Sequence, residues 1–156
     1  MNTNLRRQDR AISEQDAIAL LDAADYGILS TVGEDGVPYG VPLHFFRDGA
    51  TLILHCAPEG RKLDNLRQNN RVSFCVVGKA EVLPEKFTTR YESVIVSGSA
   101  KRVEDTEQKN VLLQKLCEKY APNHLDATAK MIAGHLDRTT VIVVEMETIT
   151  GKANRQ

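Results

Sequence analysis

The sequence predicts a mainly β (α+β) fold, a small antiparallel barrel of about six strands with peripheral helices. Three observations predict it. Short apolar strand patterns follow one another through turns rich in Gly and Asp from residue 27 to residue 77; a single short helical pattern interrupts them; and the longer helical patterns fall near the N-terminus and between residues 105 and 136. That order does not suit a doubly wound α/β sheet, and no G-x-G-x-x-G follows any of the strands.

Each element has a local reason. Ser13 is a candidate N-cap with Asp16 at N3, so a helix is expected over 14–25, with Ile18, Leu20, Leu21 and several alanines as its apolar stripe and Gly27 placed to end it. Ile28 to Val32 reads as a strand, and Gly33-Glu34-Asp35-Gly36 as a hairpin turn into the next, residues 37–46. Pro38 and Pro42 argue against a regular central ladder there and point to an edge, a bulge, or backbone turned toward something other than a neighbouring strand. Arg47 to Ala50 forms a second turn, and the near-continuously apolar Thr51 to His55 is expected to be buried on both faces. Leu63 and Leu66 pin a short helix that Asn69-Asn70 break; Arg71 to Val77 is a fourth strand; residues 78–90 read as a polar excursion, and Tyr91 to Val103 as a fifth strand. Asp105 opens a helix whose Val111, Leu112, Leu113, Leu116, Cys117 and Tyr120 keep helical spacing until Pro122. A second helical stretch to Leu136 and a last strand over 139–147 complete one domain, 1–156, with its barrel core at 27–103 plus 139–147 and its helices at 105–136.

Composition narrows the class. The 156 residues are 42% hydrophobic and 26% charged, with a net charge of −1, so an ordinary globular protein is expected and no long-range field draws nucleic acid. The polar start, Met1 to Arg7, has no apolar core of a secretory signal, which makes a cytoplasmic protein without membrane association the expectation. Cys56, Cys75 and Cys117 are odd in number and far apart, so neither a disulfide framework nor a metal site is expected; Cys75 and Cys117 read as small buried hydrophobes.

The run from His55 through Gly60-Arg61-Lys62 to Leu66 carries the chemistry. A strand pattern gives way to a helix through Pro58 and Gly60, and Arg61 and Lys62 stand at the helix N-terminus, where unpaired N–H groups already favour an anion. Read alone, the run suits a phosphate clamp or a turn with two solvated cations.

Its neighbours tilt the balance. Gly36-x-Pro38-x-x-x-Pro42-Leu43, then Leu54-His55-x-Ala57-x-x-Gly60-x-Lys62 and Arg90-Tyr91-Glu92-Ser93-Val94-Ile95-x-x-Gly98, resemble the FMN-binding split-barrel proteins, and more narrowly the nitroimidazole-resistance (Nim) branch of the pyridoxamine 5′-phosphate oxidase-like superfamily. The resemblance spans roughly residues 10–120, and Lys119-Tyr120-x-Pro122 also conforms to it. It implies FMN as cofactor, its phosphate on Gly60, Arg61 and Lys62, its ring along the backbone of Val41, Pro42, Leu43, His44 and Phe45, with His55 and Cys56 beside it and Ser93 as a polar contact. It also implies a homodimer with FMN at the interface.

The departures bear on the reaction. Phe45 stands where the true oxidases carry a substrate-binding Lys, and both the C-terminal Arg-x-His motif and the family Trp are missing, so pyridoxamine phosphate oxidase activity is not expected. An apolar patch of Phe45, Phe46 and Tyr39 would suit a small aromatic electron acceptor, a nitroimidazole or a quinone. His55 is the catalytic candidate, as proton donor or hydrogen-bond partner of the acceptor, against the plainer reading of a neutral histidine satisfied by a carbonyl; His124 and His135 read as helix surface. Three functions stand: an FMN-dependent oxidoreductase, a non-catalytic flavin-binding redox sensor or carrier, and a haem-binding split barrel with His55 or His44 as axial ligand.

Overall fold

Six antiparallel strands, β1 (Tyr26–Val32), β2 (Pro38–Asp48), β3 (Thr51–Cys56), β4 (Arg71–Leu83), β5 (Thr88–Arg102) and β6 (Thr140–Asn154), close into a barrel in the order β1-β2-β3-β6-β5-β4. Among the described residues four α-helices decorate it: α1 (Glu14–Ala23), α2 (Arg61–Gln68), α3 (Thr106–Tyr120) and α4 (Leu125–His135). The computed structural model describes residues 5–155; Gln156 and Met1–Asn4, the first residues of the polar N-terminal run, lie outside the described residues.

Strand alternation builds the interior. Leu29, Phe45, Leu52, Leu54, Phe74, Val76, Val94, Val96, Ile142 and Val144 point inward and are fully buried, with Phe45 and Phe74 packed edge to face at 4.8 Å between centroids. The outward residues of β3 and β6 are apolar too, because Ile53 and Val141 join Leu113 and Leu116 of α3 and Ile132 of α4 in a second cluster. This explains why β3 reads as a continuous apolar run: one face lines the barrel and the other carries the helical layer.

The helix caps follow the expected chemistry. Ser13 Oγ accepts from the Asp16 amide at 3.0 Å, and Asp105 accepts from Gln108 at 2.7 Å. Three boundaries differ from the sequence reading. First, α1 stops at Ala23, and Gly27 belongs to β1 rather than to a helix end; a Cβ there would sit 2.4 Å from the Phe74 ring, so packing rather than capping requires the glycine. Second, residues 78–90 are not an excursion, since β4 runs to Leu83 and β5 starts at Thr88 around a short turn at Pro84–Lys86, with the ladder resuming at Ala80 opposite Tyr91 after an irregularity. Third, β6 continues past 147 to Asn154. Its outward Thr148, Thr150 and Lys152 dilute the apolar signal, while pairing with Tyr91 to Ser97 of β5 holds the strand.

Candidate functional site

The site begins where two strands part. β2 pairs with β1 over residues 38–44 and with β3 only over 45–48; beyond the pair Phe45–Leu54, β3 turns away and runs with β6 as far as Cys56–Thr140. His44 and His55 are the first residues past the parting, with ring centroids 6.5 Å apart. The prolines conform to this geometry. Phe45 turns its N–H and C=O toward the start of β1, so Pro38 and Pro42, of opposite parity, lack an N–H only on the side where no strand is paired.

Tyr120, the last residue of α3, closes the gap. Its hydroxyl accepts from the Phe45 amide at 2.9 Å and reaches the carbonyls of Phe45 at 2.7 Å and Asp25 at 2.6 Å, while its ring stacks on His44 at 4.5 Å. Lys119 donates to the carbonyls of Ala24 and Phe45. Partial burial lowers the Lys119 pKa and raises that of Tyr120. The sequence singled out Lys119-Tyr120-x-Pro122 but assigned it no role; these contacts supply one, the seating of α3 on β2.

At the same end of the barrel, α2 starts at Arg61 behind Gly60, whose φ of 139° is a conformation L residues rarely adopt. Gly60 caps the helix with its carbonyl alone, accepting from Leu63 and Asp64, and no side chain occupies the N-terminus. Arg61 lies over the Tyr39 ring at 5.1 Å and only 4.0 Å from Asp35, a loose pairing that leaves its guanidinium half exposed. Lys62 stands beside Gly60, where its Nζ would be 3.7 Å from an added Cβ. Buried Leu63 and Asn65 moor the helix, Asn65 donating to Thr31 Oγ1 of β1 at 2.9 Å. An uncapped helix start with two unsequestered cations fits a phosphate group.

A cavity of about 380 Å³ opens between the outer barrel wall and the α3–α4 layer, bordered by His44, His55, Cys117, Tyr120, Met131 and His135 among others. His55 is half-buried, its Nδ1 is shut off from solvent without a partner, and burial with His44 nearby lowers its pKa, so the ring is neutral at pH 7. A satisfying carbonyl, the plainer sequence reading, is absent at Nδ1. Cys56 packs against the barrel core and burial raises its thiol pKa, so it is no thiolate at neutral pH. Cys75 and Cys117 are half-buried rather than fully buried. His124 and His135 are both exposed as expected, and His135 also borders the cavity.

The remaining expected residues divide. Val41 and Leu43 pack toward the barrel core and Phe45 is wholly inside, so these three can offer a ligand only backbone. The aromatic acceptor patch is thereby corrected: Phe45 is sealed against Phe74, Phe46 packs in the α3–α4 cluster, and Tyr39 lies beneath Arg61. Ser93 is not brought to the clamp within one chain. It pairs with Val77 and Lys152, six residues and so about 20 Å down β5 from the Ser99–Arg71 pair at the α2 end.

The chain matches the pyridoxamine 5′-phosphate oxidase family over residues 13–153, and it belongs to that flavin-binding family. No curated protein matches it. Among solved structures it is similar to a "putative 5-nitroimidazole antibiotic resistance protein" from Bacteroides thetaiotaomicron, at 25% identity and a TM-score of 0.78 over 92% of this chain and 86% of that one. It is also similar to the conserved hypothetical protein Rv2991 from Mycobacterium tuberculosis (20% identity, TM-score 0.82, 97% and 91% covered) and to the flavocytochrome Anf3 from Azotobacter vinelandii (20%, 0.82, 98% and 73%). These likenesses establish the split-barrel fold. Among the described residues no helix is long and apolar enough to cross a membrane, and no cluster of three or more metal-ligating side chains occurs.

Proposed function

We propose that the protein is an FMN-dependent oxidoreductase of the nitroimidazole-resistance branch that reduces small aromatic acceptors, nitroimidazoles or quinones. The observation that carries this reading is the uncapped start of α2 with Arg61 and Lys62, beside the unpaired edge of β2 and the neutral His55. When bound, FMN supplies hydride-type two-electron transfer. Arg61 gives the phosphate a planar fork of donors and Lys62 a point charge, and the backbone of residues 41–45 is available along the open side of β2. Reduction of a quinone to its hydroquinone takes two electrons and two protons; the transferred hydride would carry both electrons and one proton, solvent would supply the second proton, and the neutral His55 ring would hydrogen-bond the acceptor oxygen.

A homodimer belongs to the proposal. The outward row Pro42, Ile28, Cys75, Ile95 crosses four strands in register and is bordered by Val77 at 63% exposure, an apolar strip on the barrel wall. Ser93 stands on that same wall, remote from its own Arg61, so its contact with FMN would be made to the cofactor of the other copy. A cytoplasmic location goes with this reading.

The test is the variant carrying both Arg61→Ala and Lys62→Ala. It is expected to fold as the wild type and to bind FMN about 100-fold more weakly, the loss of two charge-assisted phosphate contacts. Unchanged FMN affinity sinks the clamp. A redox carrier without turnover is separated by mixing reduced protein anaerobically with a nitroimidazole and a quinone: reoxidation no faster than that of free reduced FMN rejects the reductase.

Haem binding has one observation in its favour, two imidazoles 6.5 Å apart on an apolar cavity. Against it, an imidazole that ligates a metal ordinarily donates its other N–H, and His55 Nδ1 has nothing to donate to. The visible spectrum of the purified protein separates the two, a Soret band for haem against the two flavin bands.

A further inference from the structure

We propose that the cavity roofed by α3 and α4 binds a planar aromatic molecule bearing a hydrogen-bond-accepting oxygen, a quinone or nitroarene, held by the Nε2–H of His55. The inference rests on the oxidoreductase reading for its purpose and moves the acceptor from the Phe45–Phe46 patch, which is filled, to this cavity.

The cavity has the dimensions and lining of a small-molecule site. Its volume of about 380 Å³ falls in the usual range of roughly 300–1,000 Å³ for such pockets. Leu113, Leu116 and Ile132 make its walls apolar, Met131 and Cys117 add polarisable sulfur, and the stacked pair His44–Tyr120 presents flat ring surface.

The polar lining then selects the ligand. Tyr120 is spent, since its hydroxyl serves Phe45 and Asp25. His135 Nδ1 is spent on the Met131 carbonyl at 2.9 Å. His55 remains. Its Nδ1 is enclosed with no partner, and a buried N–H without an acceptor is the rarer, costlier orphan than a buried lone pair, which puts the single ring proton on Nε2. With Nδ1 shut away, the ring borders the cavity through the opposite edge, the one that carries Nε2. A neutral Nε2–H donor in an apolar chamber selects a ligand whose polar atom is an acceptor and whose body is flat and apolar. A carboxylate or phosphate gains no charge partner there.

The experiment uses the full chain labelled with [methyl-13C]methionine, with and without FMN, titrated with 2,3-dimethyl-1,4-naphthoquinone, which has no open position for a cysteine to add to. The Met131 methyl resonance is expected to shift saturably and that of Met146, which packs at the barrel core, to stay fixed. The oxygen-free isostere 2,3-dimethylnaphthalene is expected to bind about tenfold more weakly, and His55→Phe to erase that difference. Ala121→Phe, which fills the cavity, is expected to weaken quinone binding by about tenfold or more and leave FMN affinity unchanged. An unmoved Met131 methyl, or equal affinities for the quinone and the hydrocarbon, overturns the proposal. Failure to bind FMN overturns the oxidoreductase reading instead, because the flavin-free titration still reports on the cavity.

Discussion

The Tyr120 hydroxyl holds both backbone groups of Phe45, accepting from its amide at 2.9 Å and lying 2.7 Å from its carbonyl oxygen. A side chain from α3 thus completes the β-ladder at the point where β2 has left β1 and not yet finished joining β3. Tyr120→Phe leaves a part-buried N–H and C=O without this partner, and a loss of about 1–3 kcal/mol in stability is expected. Urea unfolding of wild type and variant measures it; a loss below about 0.5 kcal/mol would mean that water replaces the hydroxyl at no cost.

Gly98 is required by proximity. A Cβ there would stand 1.9 Å from the Glu145 carbonyl oxygen, at the register shift between β5 and β6. Gly98→Ala must push two paired strands apart, so a destabilisation of about 3 kcal/mol or more is expected, read as a lowered thermal midpoint. Gly36→Ala, at a turn glycine whose added Cβ meets nothing within 4 Å but whose φ is 72°, serves as the comparison and is expected to cost about 1 kcal/mol.

Asn65 links the clamp to the barrel through Thr31. Asn65→Ala removes a buried hydrogen bond and is expected to cost about 1–3 kcal/mol, and to weaken FMN binding although residue 65 lies a full turn from the helix start. Isothermal titration of FMN into the variant, beside its unfolding curve, separates the two effects. Unchanged FMN affinity would show that Leu63 alone orients α2.

His55 predicts a pH dependence. Burial and the nearby His44 hold its pKa below the ordinary value of 6.5, so between the two values the unfolded chain binds a proton that the folded chain refuses. Stability therefore falls as pH drops from about 7 through the depressed pKa and is regained as pH rises. His44, Tyr120 and His135 are the titratable groups bordering the same cavity, and Cys117 is a thiol. Unfolding measured at about pH 7 and pH 5 is expected to show a smaller loss in His55→Gln than in wild type; an equal loss places the pH sensitivity elsewhere.

Much of this molecule is legible residue by residue, for reasons that are local. Ser13 and Asp105 cap helices because their side chains reach amides three residues on. The turns at Gly36 and Gly49 need positive φ. The unbroken apolar run Leu52-Ile53-Leu54 announces a strand covered on both sides. The helix start at Arg61 and Lys62 is legible in the same way, because Gly60 and the two cations after it are contiguous. What misled the reading was also local: Gly27 looked like a helix stop because its real constraint, the Phe74 ring, is 47 residues away. The polar second half of β6 looked unstructured because its partners on β5, Tyr91 to Ser97, are 51 to 63 residues away.

The sequence by itself determined the antiparallel barrel, the succession of its strands along the chain and the standing of Arg61 and Lys62 at a helix start, since these follow from periodicity, turn chemistry and contiguous residues. Only the tertiary structure decided which aromatic residues are free. Phe45 and Phe46 are consumed by packing, whereas His44, His55, Tyr120 and Met131, drawn from two strands and two helices, meet around one cavity. Pattern in a chain reports which face a residue takes, but which faces meet depends on closing contacts between segments as much as 87 residues apart, His44 and Met131, and no short-range pattern encodes that distance.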